Sequence, residues 1–217
     1  MTNGDWDAIK AAFDRGDHVT ELRLVRALAA SGDLRAQDRL GTIYETGRGV
    51  PRSYPEAIRW YRLAAERGYA HAQNNLGVVH EFGHGVPADL VAAARWYRMA
   101  AEQGDANGQH NLGNCYESGK GVVQDAVEAV KWYRRAAAQG HPFAQNNLGH
   151  MYELGLGTDR DLVEAHKWYS LSASLFWTSE ARSRRLALRN RDNVAARLAP
   201  DELVEAQRRA REWRPER

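Results

Sequence analysis

An all-α array of repeated helix pairs is the fold class this sequence predicts, and three observations predict it. Four Trp-Tyr pairs, Trp60-Tyr61, Trp96-Tyr97, Trp132-Tyr133 and Trp168-Tyr169, follow one another at a constant spacing of 36 residues. Aligned on these pairs, Leu40-Gly41, Leu76-Gly77, Leu112-Gly113 and Leu148-Gly149 fall into register, as do Glu45, Glu81, Glu117 and Glu153. Paired glycines recur in the same register at Gly47/Gly49, Gly83/Gly85, Gly119/Gly121 and Gly155/Gly157. A period of this length marks a stacked array, in which each unit buries its apolar face against its neighbours. Each copy reads as helix, glycine turn, helix, giving about 12 helices with those at the ends.

The N-terminus supplies the first helices. Asp5 to Arg15 carries Trp6, Ile9 and Phe13 at helical spacing and closes at Gly16, and a second helix spans Val19 to Ala30. Leu24 to Gly32 resembles the second half of a degenerate repeat, with Leu24 in the tryptophan position. Residues 1–34 are therefore expected to cap the array, whose first full repeat cannot bury its outer face alone.

Four full repeats occupy residues 35–178. Within one, Ala72 to Phe82 places Leu76, Val79 and His80 on a single face, and Leu90 to Gln103 does the same with Ala93, Trp96, Tyr97 and Ala100. Alanine at a helix crossing lets two backbones approach, while the aromatic pair fills the wider gaps beside it, so the Trp-Tyr pairs are expected in the packing interior. Gly77 and its equivalents lie in mid-helix, where glycine costs about 0.5–1 kcal/mol relative to alanine, and repetition of that cost predicts a tight helix contact. The glycine turns end the first helix of each pair, and Gly68, Gly104 and Gly140 end the second.

After Trp168 the pattern changes: Phe176 stands where the terminal glycine is due, and Trp177 follows. Residues 179–217 contain 11 arginines against 7 acidic residues, a balance of +4, leaving residues 1–178 with 19 basic against 21 acidic side chains. A basic helix from Ser179 to Leu198, with Ala181, Leu186, Leu188 and Val194 partly on one side, is expected here. A last helix opens at Pro200 and runs to about Trp213, docking through Leu203, Val204, Ala206, Ala210 and Trp213. No aromatic rings are interleaved with the arginines to stack bases, so the tail reads as a soluble C-terminal cap and nucleic acid is not expected as a partner.

Composition narrows the function further. The formal net charge of +2 gives no general attraction to nucleic acid or membrane, and no apolar run approaches the roughly 20 residues that span a bilayer. Met1 to Lys10 lacks the basic and apolar regions of a signal peptide, which predicts a cytoplasmic location, or a periplasmic one if a signal peptide has been removed from the native chain. The single cysteine, Cys115, shares the buried register of Ile43, Val79 and Met151. Eight histidines fall into no metal-ligand spacing, since Gly83 interrupts the helix between His80 and His84. No nucleophile elbow, phosphate loop or dinucleotide fingerprint is present, so neither a catalytic centre nor a cofactor is expected.

The segments Ala72-Gln73-Asn74-Asn75-Leu76-Gly77, Gly83-His84-Gly85-Val86 and Ala94-Arg95-Trp96-Tyr97-Arg98-Met99-Ala100-Ala101, with their copies, resemble the Sel-one-like repeat family, a relative of the tetratricopeptide repeats. The resemblance implies a right-handed superhelical solenoid of antiparallel helix pairs that serves as a scaffold or adaptor for protein partners. Cysteine-rich secreted members are associated with β-lactam binding or hydrolysis, and this chain lacks their two cysteines per repeat.

If the helices stack as in tetratricopeptide arrays, the first helix of each repeat lines a concave groove. The positions facing it carry Asp38, Asn74, His110 and Asn146; Arg39, Asn75, Asn111 and Asn147; Thr42, Val78, Asn114 and His150; and Glu45, Glu81, Glu117 and Glu153. Asparagine offers donors and an acceptor to the backbone of an extended peptide, and in tetratricopeptide relatives the asparagine two before the glycine does this. Arg35, His71 and Asn107 would add selectivity at the edge, and Phe143 an apolar anchor. The repeated glutamates and asparagines could instead satisfy backbone groups in adjacent turns. The leading expectation is a non-enzymatic peptide-binding or protein-binding scaffold. Its rivals are a hydrolase of β-lactamase or amidohydrolase type in the groove, and a structural module that homodimerises through Trp6 or through Phe176, Trp177 and Trp213.

Overall fold

The structure, a computed structural model, describes residues 3–176 and 180–215, among which all regular structure is helical. Twelve α-helices follow in order: α1 Asn3–Asp14, α2 His18–Ala30, α3 Leu34–Thr46, α4 Tyr54–Ala65, α5 Ala70–Phe82, α6 Leu90–Glu102, α7 Ala106–Ser118, α8 Ala126–Ala138, α9 Pro142–Leu154, α10 Leu162–Leu175, α11 Ala181–Ala195 and α12 Pro200–Glu212. They fall into two compact units, Met1–Ala100 and Ala101–Arg217. In the first, α1 packs on α2, α2 on α3, α3 on α4 and α4 on α5. In the second, α7 packs on α8, α8 on α9 and α9 on α10, and α10 is covered by α11 and α12.

Each helix starts and stops for a local reason. Asp33, Asp89, Asp105 and Asp161 accept the backbone N–H three residues on, capping α3, α6, α7 and α10 at 2.7–2.9 Å. His141 does so for α9 with its ring nitrogen, 3.1 Å from the Ala144 amide. At the other end Gly119 adopts φ +69°, the left-handed conformation that closes α7 without a Cβ penalty, and Gly47, Gly83 and Gly155 do the same for their helices. A backbone bond then fixes the turn: the amides of Ser53, Asp89, Asp125 and Asp161 donate to the carbonyls of Tyr44, His80, Tyr116 and Tyr152.

The mid-helix glycines are required by the tyrosines. A Cβ on Gly41, Gly77, Gly113 or Gly149 would stand 2.4–2.9 Å from the ring of Tyr61, Tyr97, Tyr133 or Tyr169 on the second helix of the same pair. The tight contact is thus helix backbone against an aromatic face, and those four tyrosines are completely buried. Their tryptophan neighbours are not equivalent, which corrects the expectation of a shared interior. Trp132 and Trp168 are buried, whereas Trp60 and Trp96 are only half-buried. Arg59, Arg135 and Lys167 lie over the rings of Trp60, Trp132 and Trp168 at 5.2, 4.6 and 4.3 Å from the ring centres.

Adjoining repeats are tied by a glutamine. The side-chain amides of Gln37, Gln73, Gln109 and Gln145 donate to the carbonyls of Ala29, Ala65, Ala101 and Ala137, eight residues earlier, at 3.1–3.3 Å. These glutamines are buried, and each bond satisfies a carbonyl at the end of the preceding helix.

The C-terminal helices close the second unit. Ala187 and Val194 of α11 are buried, with Leu188 packed on Ala173 and Phe176, but Leu186 is exposed, and the apolar face is rotated from the one expected. From α12, Ala206 is buried and Ala210 and Trp213 pack on the cluster containing Trp168, while Val204 faces solvent. Phe176 is buried and meets Phe143 edge to face at 4.9 Å. Phe176 and Trp213 thus have partners within the chain, and Trp177 lies outside the described residues.

Candidate functional site

The polar face of the first helices is a set of linked networks. In the first unit the hub is Asp38 on α3, itself buried. Asn75 of α5 donates to one of its oxygens at 2.8 Å, and His71 Nδ1 lies 2.9 Å from the other. Asn75 therefore bridges two repeats, whereas Asn74 is only 6 % exposed and offers a partner little surface. Arg39 turns inward: Nε and Nη2 donate to the buried Glu21 of α2 at 2.9 and 2.5 Å. Arg48 and His18 approach the same carboxylate at 3.7 and 3.5 Å.

Aromatic rings of α1 hold these cations. Arg35 lies over Trp6 at 3.9 Å, and Arg39 and Arg48 over Phe13 at 4.6 and 4.9 Å. Trp6, Phe13, Arg35 and Arg39, with Lys10, Asp38 and His71, wall a cleft of about 660 Å³. Along it Lys10 pairs with Asp14, and His71 with Asp38.

The second unit presents a different surface. His110 of α7 stacks on His141 with ring centres 4.7 Å apart, and Phe143 lies 6.1 Å from both. With Phe176 these side chains make a four-ring patch, at which Phe143 is 40 % exposed. Amides surround it. Asn147 donates to the Asn114 carbonyl oxygen at 3.0 Å, the Tyr133 phenol oxygen lies 2.6 Å from the same oxygen, and the Asn107 oxygen lies 3.2 Å from His141 Nε2. Asn111 engages His110. Asn146, farther along α9, accepts from Asn190 of α11 at 3.4 Å, and His150 is exposed.

Burial depresses both stacked histidines. His110 falls to about 3, through desolvation first and the neighbouring His141 second, and His141 falls to about 4 through desolvation. Both rings are neutral at neutral pH, so this part of the face is uncharged and rich in amides and rings.

The four glutamates have one role in all four repeats. Glu45, Glu81, Glu117 and Glu153 accept from the phenols of Tyr61, Tyr97, Tyr133 and Tyr169 at 2.7, 2.8, 2.5 and 2.9 Å. They bind a side chain of the partner helix rather than backbone of a turn. Burial, with the carboxylate beside it, holds the Tyr61, Tyr133 and Tyr169 phenols above their ordinary value and keeps them as donors.

Sequence reasoning placed Asn75, Asn111, Asn114, Asn147 and His110 on one face and the structure joins them in networks within each unit, but it missed Glu21, Gln37 and its copies, and the His110–His141 stack. Cys115 is buried. Among the described residues no three metal-ligating side chains come together, and no described helix is long and apolar enough to cross a membrane.

Antiparallel helix pairs, an alanine-lined seam, a glycine under each tyrosine and a polar face on the first helices define a helical-repeat protein of the tetratricopeptide-like class. The Sel1 repeat family model matches residues 34–69, 70–105, 106–141 and 142–175, and the chain belongs to that family. Sel1 repeats typically serve as scaffolds for protein interaction. The fold is similar to a Sel1 repeat protein of Oxalobacter formigenes, with 27% identity, a TM-score of 0.73 and coverage of 96% of this chain and 85% of that one. It is also similar to a protective antigen of uropathogenic Escherichia coli with the same repeat fold, at 28% identity and TM-score 0.57; 89% of this chain aligns, but it spans only 48% of that protein. An immunity protein of Pseudomonas aeruginosa shares the fold at 16% identity and TM-score 0.59, over 89% of this chain and 83% of that one. No curated protein sequence gives a significant match.

Proposed function

We propose that this chain is an adaptor that captures an extended protein segment on the ring-and-amide face of α7 and α9. The observation that carries this reading is the neutral four-ring patch of His110, His141, Phe143 and Phe176 bordered by Asn107, Asn111, Asn114 and Asn147. Half-exposed Phe143 offers a seat for an apolar or aromatic side chain, which gains about 25 cal/mol per Å² of apolar surface removed from water. Asn147 donates to its neighbours through its amide nitrogen, leaving its carbonyl oxygen for a backbone N–H of the bound segment. The neutrality of His110 and His141 supports an uncharged ligand stretch rather than an acidic one.

Peptides selected from a random library against the intact chain test the reading. They are expected to share an apolar or aromatic residue within an otherwise extended, weakly charged stretch. Phe143→Ala and Asn111→Ala should each reduce affinity about tenfold, the equivalent of one good contact. Retention of full affinity by both variants would reject the site.

A further inference from the structure

The arginines of the C-terminal helices divide into two groups. Most of those in α12 and towards the end of α11 are matched: Arg208 with Glu205 and Glu212, Arg209 with Glu205 and Glu164, Arg191 with Asp192, and Arg197, just beyond α11, with Glu153, whereas Arg211 is exposed and in none of these pairs. Those of the first three turns of α11 are not. Arg182, Arg184, Arg185 and Arg189 are all exposed, and no ion pair involves them among the described residues. Arg182, Arg185 and Arg189 recur at i, i+3 and i+7, so they form one stripe about 10 Å long at 1.5 Å per residue. Like charges at i,i+3 and i,i+4 destabilise a helix by a few tenths of a kcal/mol per pair. A merely solvated face has both signs interspersed, as α12 does. In the middle of the stripe stands Leu186, 42 % exposed, and these side chains with Ser183 border a shallow cleft of about 500 Å³.

We infer that this stripe is a second docking surface, for an acidic protein segment that presents carboxylates at helical spacing around an apolar side chain. Guanidinium groups bind carboxylates in a two-pronged geometry that lysine cannot reproduce, and no lysine lies on the stripe. The exposed leucine gives such a segment an apolar contact between its charges. Nucleic acid is disfavoured because three cations on one helix cover few phosphates and residues 180–198 contain no aromatic ring for bases to stack on. A membrane surface is disfavoured because polybasic attraction needs a second anchor, and the stripe has one exposed apolar side chain. This surface is independent of the α7–α9 face, and either can fail without the other.

Fluorescence anisotropy of the full chain with a labelled helical peptide, glutamates at i, i+3 and i+7 with leucine at i+4, tests the inference. The probe is expected to bind, to weaken as salt rises, and to weaken at least about tenfold with the triple variant Arg182→Ser, Arg185→Ser, Arg189→Ser. A charge-matched control, Arg15→Ser, Arg23→Ser, Arg62→Ser, removes three exposed cations elsewhere and should bind as the parent does. Leu186→Ala should bind less tightly than the parent, and circular dichroism melts confirm that each variant is folded. Equal loss in both triple variants, equal binding of the glutamine version of the peptide, or tighter binding to phosphatidylserine vesicles or duplex DNA would overturn it.

Discussion

Glu21 occupies a position that is alanine in every full repeat, at Ala57, Ala93, Ala129 and Ala165, all buried. Arg39 occupies one that is otherwise asparagine, at Asn75, Asn111 and Asn147. These two departures from the repeat meet in space, and aligning the degenerate first unit would have exposed them as a pair. Removing the carboxylate leaves Arg39 and Arg48 facing each other without a counter-charge, so Glu21→Ala is expected to lower stability by about 2–3 kcal/mol in urea denaturation. Adding Arg39→Asn should recover part of that loss in a double-mutant cycle. Gly113 shows the opposite case, in which repetition was informative and its reason was hidden. The sequence indicated a close approach, but only the structure reveals the Tyr133 ring beneath it. Gly113→Ala should cost about 2–3 kcal/mol through overpacking. Gly104→Ala, with open space but φ +93°, should cost only about 1 kcal/mol in the same assay.

At the scale of helices and their pairs, boundaries were legible because glycine, proline and the aromatic register agree. The tyrosine–glutamate bonds were legible in principle, as two polar positions repeated 16 residues apart across each turn. The His110–His141 stack was not, because each ring belongs to a different helix pair and neither is histidine in the other repeats. That stack carries a pH signature. Both folded-state values lie below the unfolded value of about 6.5, so the unfolded chain takes up protons first as pH falls. The stabilisation is fully present above about pH 6.5 and is lost as pH falls toward the folded values. The protein should be about 2 kcal/mol less stable at pH 5 than at pH 7, after allowance for partial solvent access. The variant His110→Asn with His141→Asp restores residues found at these positions in other repeats and should flatten thermal melts across that range. An unchanged slope would mean that the two rings titrate normally.

For the whole molecule, the fold class was readable from one period, and the division of the polar face was not. The same nominal strip is charged and internally paired around Asp38 and Glu21, but neutral and aromatic around His110 and Phe143, because the residues that differ between repeats determine the local chemistry. Asn75 and Asn147 also bond neighbouring repeats, so replacing Asn75, Asn111 and Asn147 together should lower the melt as well as weaken capture, and single substitutions are the cleaner probes. Partner capture by α7 and α9 is tested most directly by nitrogen-15 NMR of the intact chain titrated with a peptide selected from the random library. The side-chain amide signals of Asn111 and Asn147 and the backbone signals around Phe143 should shift with the same saturation curve, and Phe143→Ala should abolish those shifts at equal peptide concentration. Saturable shifts confined to other helices, with these signals unmoved, would contradict the assignment of this face.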